Sequence, residues 1–380
     1  MKKIKVLHIT QSEIGGVTEY IKMLLKYMDN NKFEFYLIGS KQYESQKNIF
    51  KELNCKIITV DMKRKISPKS DWKSILNIRN YIKNINPDII HLHSSKAGAL
   101  GRIASIFLNI PVVYNAHGWA FDMNISKKKK LIYIYVEKIL ARFTDTIVNI
   151  SDHEKYSQQK YKIEPKKYTK VIYNGIDLER YNVKYNVEEI KQKLSIPSNG
   201  FVIGMVGRIS AQKSPESFVK IAKKLKEKID DCYFILVGDG DLKAEIEILI
   251  DRYGLKNKFL ITGWTNEVPK YISIFDVGVL TSKWEGFGLV LAEYMAAKKP
   301  VVAFNSGGIP NVVKNNYNGL LFDYGDIDNF CGSIIKIKND NKFREKLISN
   351  GHKVVNERFN VERVAKEHEE LYLDLLRYKL

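Results

Sequence analysis

Glu285-Gly286-Phe287-Gly288-Leu289-Val290-Leu291-Ala292-Glu293 sets two acidic residues around a glycine-rich turn that runs into an apolar helix. An apolar strand over 276–280 precedes it, so the stretch reads as one strand–turn–helix unit. Gly286 and Gly288 let a ligand approach the backbone closely. The helix after them offers free N–H groups and a partial positive charge to an anion, of which phosphate is the obvious one. Glu293 lies about a turn into that helix, where a carboxylate accepts two hydrogen bonds from a diol such as a ribose. Glu285 stands before the turn, near the group beyond the phosphates. The pattern suggests a sugar nucleotide held end to end; a lone Glu-Gly pair would also suit a surface loop with a helix-capping acid.

Working outward, apolar strands and amphipathic helices alternate from the first residues, which predicts parallel sheets with helices on both faces. The first series has strands near 4–10, 33–39, 56–60, 88–92, 111–115, 146–150 and 169–173. After Tyr173-Asn174-Gly175-Ile176-Asp177 the rhythm breaks into a polar stretch reaching about Gly200. A second series follows, near 201–206, 232–237, 258–261, 276–280, 300–303 and 319–322, and from 326 onward only helices are expected. The fold class is therefore α/β. The domains are 1–177, joined by a last helix at about 360–380, and 178–359.

The chain has 380 residues, 44% hydrophobic, which suits two packed domains. No apolar run approaches the roughly 18 residues of a membrane span, and the start lacks the apolar core of a secretory signal. A cytoplasmic protein is expected. Cys55, Cys232 and Cys331 are far apart and match no metal-ligand spacing, so neither disulfides nor structural zinc is inferred. The net charge of +19 attracts phosphate-rich partners, whether nucleic acid, anionic lipid or pyrophosphate-bearing substrates, and composition does not choose among them.

Ligands of open α/β sheets bind beyond the carboxyl ends of the strands. Six loops there carry suggestive residues: Gly15-Gly16, His93-Ser94-Ser95-Lys96, His117-Gly118, Arg208, Gly238-Asp239-Gly240 and Glu285. Breaking a glycosidic bond to a nucleotide needs the leaving diphosphate stabilised, and fixed cations do this most simply. Arg208 can grip two phosphate oxygens and Lys213 adds a point charge. Either would otherwise be an ordinary exposed residue of a loop. Val237-Gly238-Asp239-Gly240 lacks the third glycine of a nicotinamide-cofactor fingerprint, which argues against an oxidoreductase.

With Thr281-Ser282-Lys283-Trp284 before it and Tyr294-Met295-Ala296 after it, the opening motif resembles the paired-glutamate motif of retaining glycosyltransferases of family four. The resemblance covers nearly the whole chain. It implies GT-B architecture, two Rossmann-like parallel-sheet domains facing across a cleft, with the C-terminal helix crossing back to the first. It also implies catalytic roles for His117, Arg208, Lys213 and Glu285, with His117 contacting the donor sugar. Donor binding falls to Gly15, Gly16, Gly238, Gly286, Phe287, Gly288, Leu289 and Glu293. Retention is expected by front-face substitution, the leaving phosphate oxygen helping to take the acceptor proton. Asp239-Gly240-Asp241 and Asp326-Ile327-Asp328 look like metal-binding DxD motifs but read as structural, the second as a helix cap, so no metal or other cofactor is expected. Ser214 stands where the family usually has glycine; it is expected to cap the helix that Pro215 opens. Asn311 replaces a commonly acidic residue.

His93-Ser94-Ser95-Lys96-Ala97-Gly98-Ala99-Leu100-Gly101-Arg102 with His117-Gly118-Trp119-Ala120-Phe121 resembles the branch acting in capsule, exopolysaccharide and O-antigen assembly. That branch implies a nucleotide-sugar donor, UDP-linked, and a polyprenyl-diphosphate acceptor at the inner membrane face, placing His93, Ser94 and Lys96 on the acceptor side. Lys127, Lys128, Lys129 and Lys130 open a helix against its dipole, which anionic lipid would compensate at roughly 1 kcal/mol per basic residue. A solvated cluster ahead of a core helix is the plainer account. Met62-Lys63-Arg64-Lys65-Ile66 is expected on the same face. Within GT-B enzymes the alternatives are a nucleotide-sugar epimerase and a soluble transferase with a small acceptor. Outside them is a basic nucleic-acid-binding protein, for which no recognition helix or stacking motif is seen.

Overall fold

The computed structural model describes residues 2–11, 15–63 and 65–377. The chain divides into two compact units, Met1–Gly175 with Val361–Leu380, and Ile176–Asn360. The division sits two residues before the expected end of the first domain and one residue after the expected end of the second. Ile176 donates its N–H to the Phe359 carbonyl at 2.8 Å and bridges Asn360, so the second unit's two ends are paired.

The first unit holds seven strands: β1 Ile4–Thr10, β2 Phe33–Gly39, β3 Cys55–Thr59, β4 Ile89–His93, β5 Val112–Asn115, β6 Thr146–Asn149 and β7 Tyr168–Val171. All pair in parallel in the order β3-β2-β1-β4-β5-β6-β7. Leu7, Ile9, Ile90, Leu92 and Tyr114 pack under helices on one face; Val6, Phe35, Leu37, Ile89 and Val113 pack on the other. Burial on both faces is why these strands read as continuous apolar runs. The second face is covered by helix Gly16–Tyr27 and by the last helix, Val361–Arg377, whose Val364, Ala365, Leu371, Tyr372 and Leu375 join Tyr20, Leu24 and Leu25. Arg363 fastens that helix by donating to the Tyr173 carbonyl at 2.9 Å.

The second unit holds β8 Phe201–Val206, β9 Cys232–Val237, β10 Phe259–Ile261, β11 Val277–Leu280, β12 Val301–Phe304 and β13 Leu320–Phe322, again all parallel, in the order β10-β9-β8-β11-β12-β13. Each sheet reverses direction of growth once, between β1 and β4 in the first and between β8 and β11 in the second. These are the two points where an open parallel sheet leaves a crevice at its carboxyl edge.

Helix Lys127–Ala141 is anchored by Ile134, Leu140 and Ala141 and by a buried ion pair. Arg102 of helix Ser95–Ala104 meets Glu137 at 2.9 Å, its guanidinium 3.9 Å over the Tyr114 ring. Removing one partner would leave an uncompensated interior charge, at a cost of about 3–5 kcal/mol.

Candidate functional site

In the second unit, the loops after β8 and β11 are neighbours only because those strands pair. They are stitched together by hydrogen bonds. Thr281 donates its hydroxyl to the carbonyls of Lys213 and Ser214 at 2.9 and 3.0 Å. Lys283 N–H reaches the Gln212 carbonyl at 2.8 Å, and the Gln212 amide reaches the Trp284 carbonyl at 3.1 Å. Lys213 and Glu285 consequently form an ion pair, with side chains 19% and 8% exposed. Ser282 donates to the same Glu285 oxygen at 2.7 Å. Arg208 is exposed and makes no ion pair among the described residues, leaving its guanidinium available to an anion.

The turn after Glu285 is held by a second loop that motif reading missed. A side chain on Gly307 or Gly308 would lie 2.0 Å from the Glu285 or Gly286 carbonyl oxygen, and Gly308 N–H donates to the Glu285 carbonyl at 2.9 Å. The loops after β8 and β9 meet in the same way, since a Cβ on Gly238 would fall 2.1 Å from the Gly207 oxygen and one on Gly240 2.3 Å from that of Ile209. Such backbone-to-backbone packing explains these glycines sterically. The glycine pairs were the signal for it.

Gly288, at φ +83°, precedes helix Leu289–Ala296. Glu293 is the helix's fifth residue and takes a side-chain hydrogen bond from Tyr181, whose phenol is held well above its usual range first by burial and then by the Glu293 charge. The Phe287 ring is buried against that of Phe359, centroids 5.4 Å apart. Leu289 is half-buried at the helix start.

Ser214 is a correction. It is the N-cap of helix Pro215–Lys226 by position, but its side chain makes no capping bond. At φ +50°, the left-handed backbone that explains a glycine preference, its hydroxyl goes instead to Glu216 at 2.9 Å, Ser217 at 2.9 Å and Tyr324 at 3.0 Å. Asp326 does cap, accepting from Asn329 N–H at 3.2 Å, while Asp239 accepts from Gly240 N–H at 2.7 Å.

In the first unit, Gly15 and Gly16 open helix Gly16–Tyr27 next to the β1–β4 switch point. His117, just beyond β5, has φ +52°, an uncommon backbone for histidine and a form of strain found often at functional sites. The following Gly118 has φ +104°. Glu154, which sequence reasoning overlooked, braces this turn. It is buried, accepts from Ile150 N–H at 3.0 Å and from the Gly118 backbone, and burial raises its carboxyl to about 8.

His93 is wholly internal rather than facing an acceptor, and this corrects its expected place. In His91-Leu92-His93 the two-residue period of a strand turns both imidazoles to one face, where the sheet register sets His8 beside His91. His8 Nδ1 lies 3.0 Å from His93 Nε2, and His93 Nδ1 lies 3.0 Å from His117 Nε2. His91 Nδ1 meets the Tyr372 hydroxyl at 2.6 Å, and His368 Nε2 meets that of Tyr20 at 2.9 Å. Burial, reinforced by neighbouring imidazoles, depresses His8 and His117 to about 3 and holds His91 and His93 well below the usual range. All are neutral near pH 7. His8, His91 and His93 each offer a ring nitrogen within 4.8 Å of the others, the one such group of metal-ligating type among the described residues.

Ser94, at φ +68°, has its hydroxyl buried without a partner among the described residues. Lys96 is tied to Asp71 at 2.5 Å. Lys127, Lys128 and Lys129 are exposed, and Lys130 lies 5.4 Å over the Tyr161 ring. Their helix turns Leu131, Ile132 and Tyr135 outward at 67, 60 and 67% exposure, with Val136 and Ile139 beside them. It is thus apolar on its solvent side as well as on its core side. Arg64 lies outside the described residues.

Fold and site define a two-domain, doubly wound α/β protein with polar loops at both switch points. Residues 14–180 match the model of Glycosyltransferase Family 4, and residues 186–354 that of Glycosyl transferases group 1. The UDP-Gal:alpha-D-GlcNAc-diphosphoundecaprenol alpha-1,3-galactosyltransferase of Escherichia coli is 31% identical over 98% of both chains. The capsular polysaccharide biosynthesis glycosyltransferase CapM of Staphylococcus aureus is 24% identical over 99% of both. Among solved structures, Anabaena Alr3699/HepE in complex with UDP and glucose superposes with a TM-score of 0.86 at 23% identity, over 98% of this chain and 100% of that one. The chain belongs to glycosyltransferase family four and has the GT-B fold.

Proposed function

We propose that this enzyme transfers a hexose or N-acetylhexosamine, with retention, from a UDP-sugar to a polyprenyl-diphosphate-linked sugar in surface polysaccharide synthesis. The observation that carries the reading is the Lys213–Glu285 pair at the β8–β11 switch point, with Arg208, exposed and without an ion pair among the described residues, on the loop after β8 and the Gly288 helix start on the loop after β11. The full-length similarity to the E. coli galactosyltransferase supports the choice of donor and acceptor. Arg208 and Lys213 take up the diphosphate charge as the glycosidic bond breaks, without a metal. Glu293 holds the ribose diol, and Tyr181 must release or share it. Neutral His117 contacts the donor sugar. The departing phosphate oxygen takes the acceptor hydroxyl proton on the face from which the acceptor attacks.

The acceptor places the reaction at a membrane, peripherally and on its cytoplasmic side. No helix among the described residues is long and apolar enough to cross one. Helix Lys127–Ala141 supplies lysines at its start and an outward stripe of Leu131, Ile132, Tyr135, Val136 and Ile139, the pairing that suits insertion into an anionic interface. Exposed Ile66 and Trp72, near Lys63, Lys65 and Lys69, add a second contact of the same kind.

Calorimetry with UDP, GDP and ADP on wild type and Glu293→Ala, followed by UDP-sugar turnover with and without a polyprenyl-diphosphate acceptor, tests the reading. UDP-selective binding lost in the variant and acceptor-dependent transfer are expected. No nucleotide binding overturns it, and sugar interconversion without acceptor would mark an epimerase. Co-sedimentation with anionic vesicles tests the membrane contact, which fails if replacing Lys127 to Lys130 leaves binding intact.

A further inference from the structure

We propose that His8 and His93 are positioning residues that hold His117 in its Nδ1–H tautomer, so that it presents an N–H donor to the substrate. The inference rests on the reading of His117 as a donor-sugar contact. His8, His93 and His117 form a row with two nitrogen–nitrogen contacts, both 3.0 Å. A neutral imidazole has one N–H and one bare nitrogen, so each ring that donates on one side accepts on the other. The middle ring transmits this rule. Either all three protons sit on Nδ1, or all three sit on Nε2.

The far end of the row decides between them. His8 Nε2 is buried with no hydrogen-bond partner among the described residues. With protons on Nε2 it would be a buried N–H without an acceptor; with protons on Nδ1 it is only a bare lone pair. The unpaired buried donor is the rarer defect in proteins. At the near end the same choice is harmless, because His117 is only partly buried and its Nδ1 can donate to water or to a sugar oxygen. The two ends therefore agree: His8 Nδ1–H donates to His93 Nε2, and His93 Nδ1–H donates to His117 Nε2. Which nitrogen of a functional histidine carries the proton is set by the bond its other nitrogen makes, and here that bond is itself set one ring further in. Tyr20, whose ring centroid is 4.7 Å from that of His117 at an interplanar angle of 73°, packs against it in a T-shaped contact that limits rotation of the ring out of the row.

The test uses the full chain with nitrogen-15-labelled histidine, read by two-bond proton–nitrogen correlation of the imidazoles. Wild type is expected to show His8, His93 and His117 as Nδ1–H. His8→Leu, which touches His93 but not His117, should release His117 to the Nε2–H form that histidine favours in water. It should also lower kcat about tenfold with the donor KM unchanged, the scale seen when a partner that orients a functional histidine is lost. His8→Asn, whose amide N–H replaces Nδ1–H, should restore both. An Nε2–H signal for His117 in wild type overturns the proposal and needs no variant. So do an unchanged His117 tautomer in folded His8→Leu, a switched tautomer with unchanged kcat, and stoichiometric transition metal held by His8, His91 and His93. Full activity in His117→Ala would instead remove the donor-sugar reading, while the tautomer measurement stands by itself.

Discussion

Mild acid should unfold the first unit, and the histidine row sets the scale. Six of the seven histidines have depressed values in the folded chain, chiefly from burial, and five of them, His8, His91, His93, His117 and His368, lie in the first unit. Those of His8 and His117 fall to about 3 and that of His368 to about 4. In the unfolded chain each would titrate near 6.5. A base depressed on folding contributes nothing above its unfolded value and costs stability as pH falls below it, because only the unfolded chain then takes up the proton. His8, His117 and His368 each cost about 1.4 kcal/mol per pH unit below 6.5, hence about 2 kcal/mol at pH 5. Those three sum to about 6 kcal/mol and His91 and His93 act in the same direction, against the 5–15 kcal/mol that holds a domain folded. Circular dichroism, with fluorescence of the buried Trp119, should show loss of structure near pH 5, accompanied by uptake of several protons. Stability flat from pH 7.5 to 5, or uptake of less than one proton on unfolding at pH 5.5, would refute the reasoning.

If Lys213 takes up the donor diphosphate as proposed, Glu285 competes for it, so Glu285→Gln should bind UDP about fivefold more tightly, the worth of roughly 1 kcal/mol in a partly screened pair, yet turn over far more slowly. Calorimetry and initial rates check this, and weaker UDP binding with unchanged melting temperature counts against it. Arg208→Ala should cost about 10²-fold in turnover, by analogy with loss of one oxyanion donor, and leave the melting temperature alone because the side chain is exposed. Near-wild-type rates would remove it from the mechanism. Glu293→Ala should weaken UDP binding, and unchanged affinity by calorimetry would end the ribose assignment. Replacing Leu131, Ile132 and Tyr135 with serine should abolish vesicle binding with little effect on turnover of a short-chain soluble acceptor; full vesicle binding would show that the stripe does not enter the interface.

The strands, their parallel class and the identity of the polar loops were legible in the sequence, because strands buried on both faces are written as short apolar runs punctuated by glycine. The strand ends differ from the expected ones by no more than two residues, as with β7, expected at 169–173 and found at Tyr168–Val171. Glu285, Gly288 and Glu293 lie within one strand–turn–helix unit, so local spacing alone ties them together. Lys213 and Glu285 are different. They stand 72 residues apart and meet only because β8 pairs with β11, a choice of strand order that depends on which edges and helix faces fit and leaves no local trace. The same holds for His8 and His93, 85 residues apart, whose rings are aligned by the β1–β4 register. It holds for Gly307 and Gly308, needed for the closeness of a loop they do not adjoin in sequence. The run Leu131-Ile132-Tyr133-Ile134-Tyr135-Val136 is apolar on every side, and only packing on Arg102 and the first core determined that Ile134 would turn inward while its neighbours were left facing out.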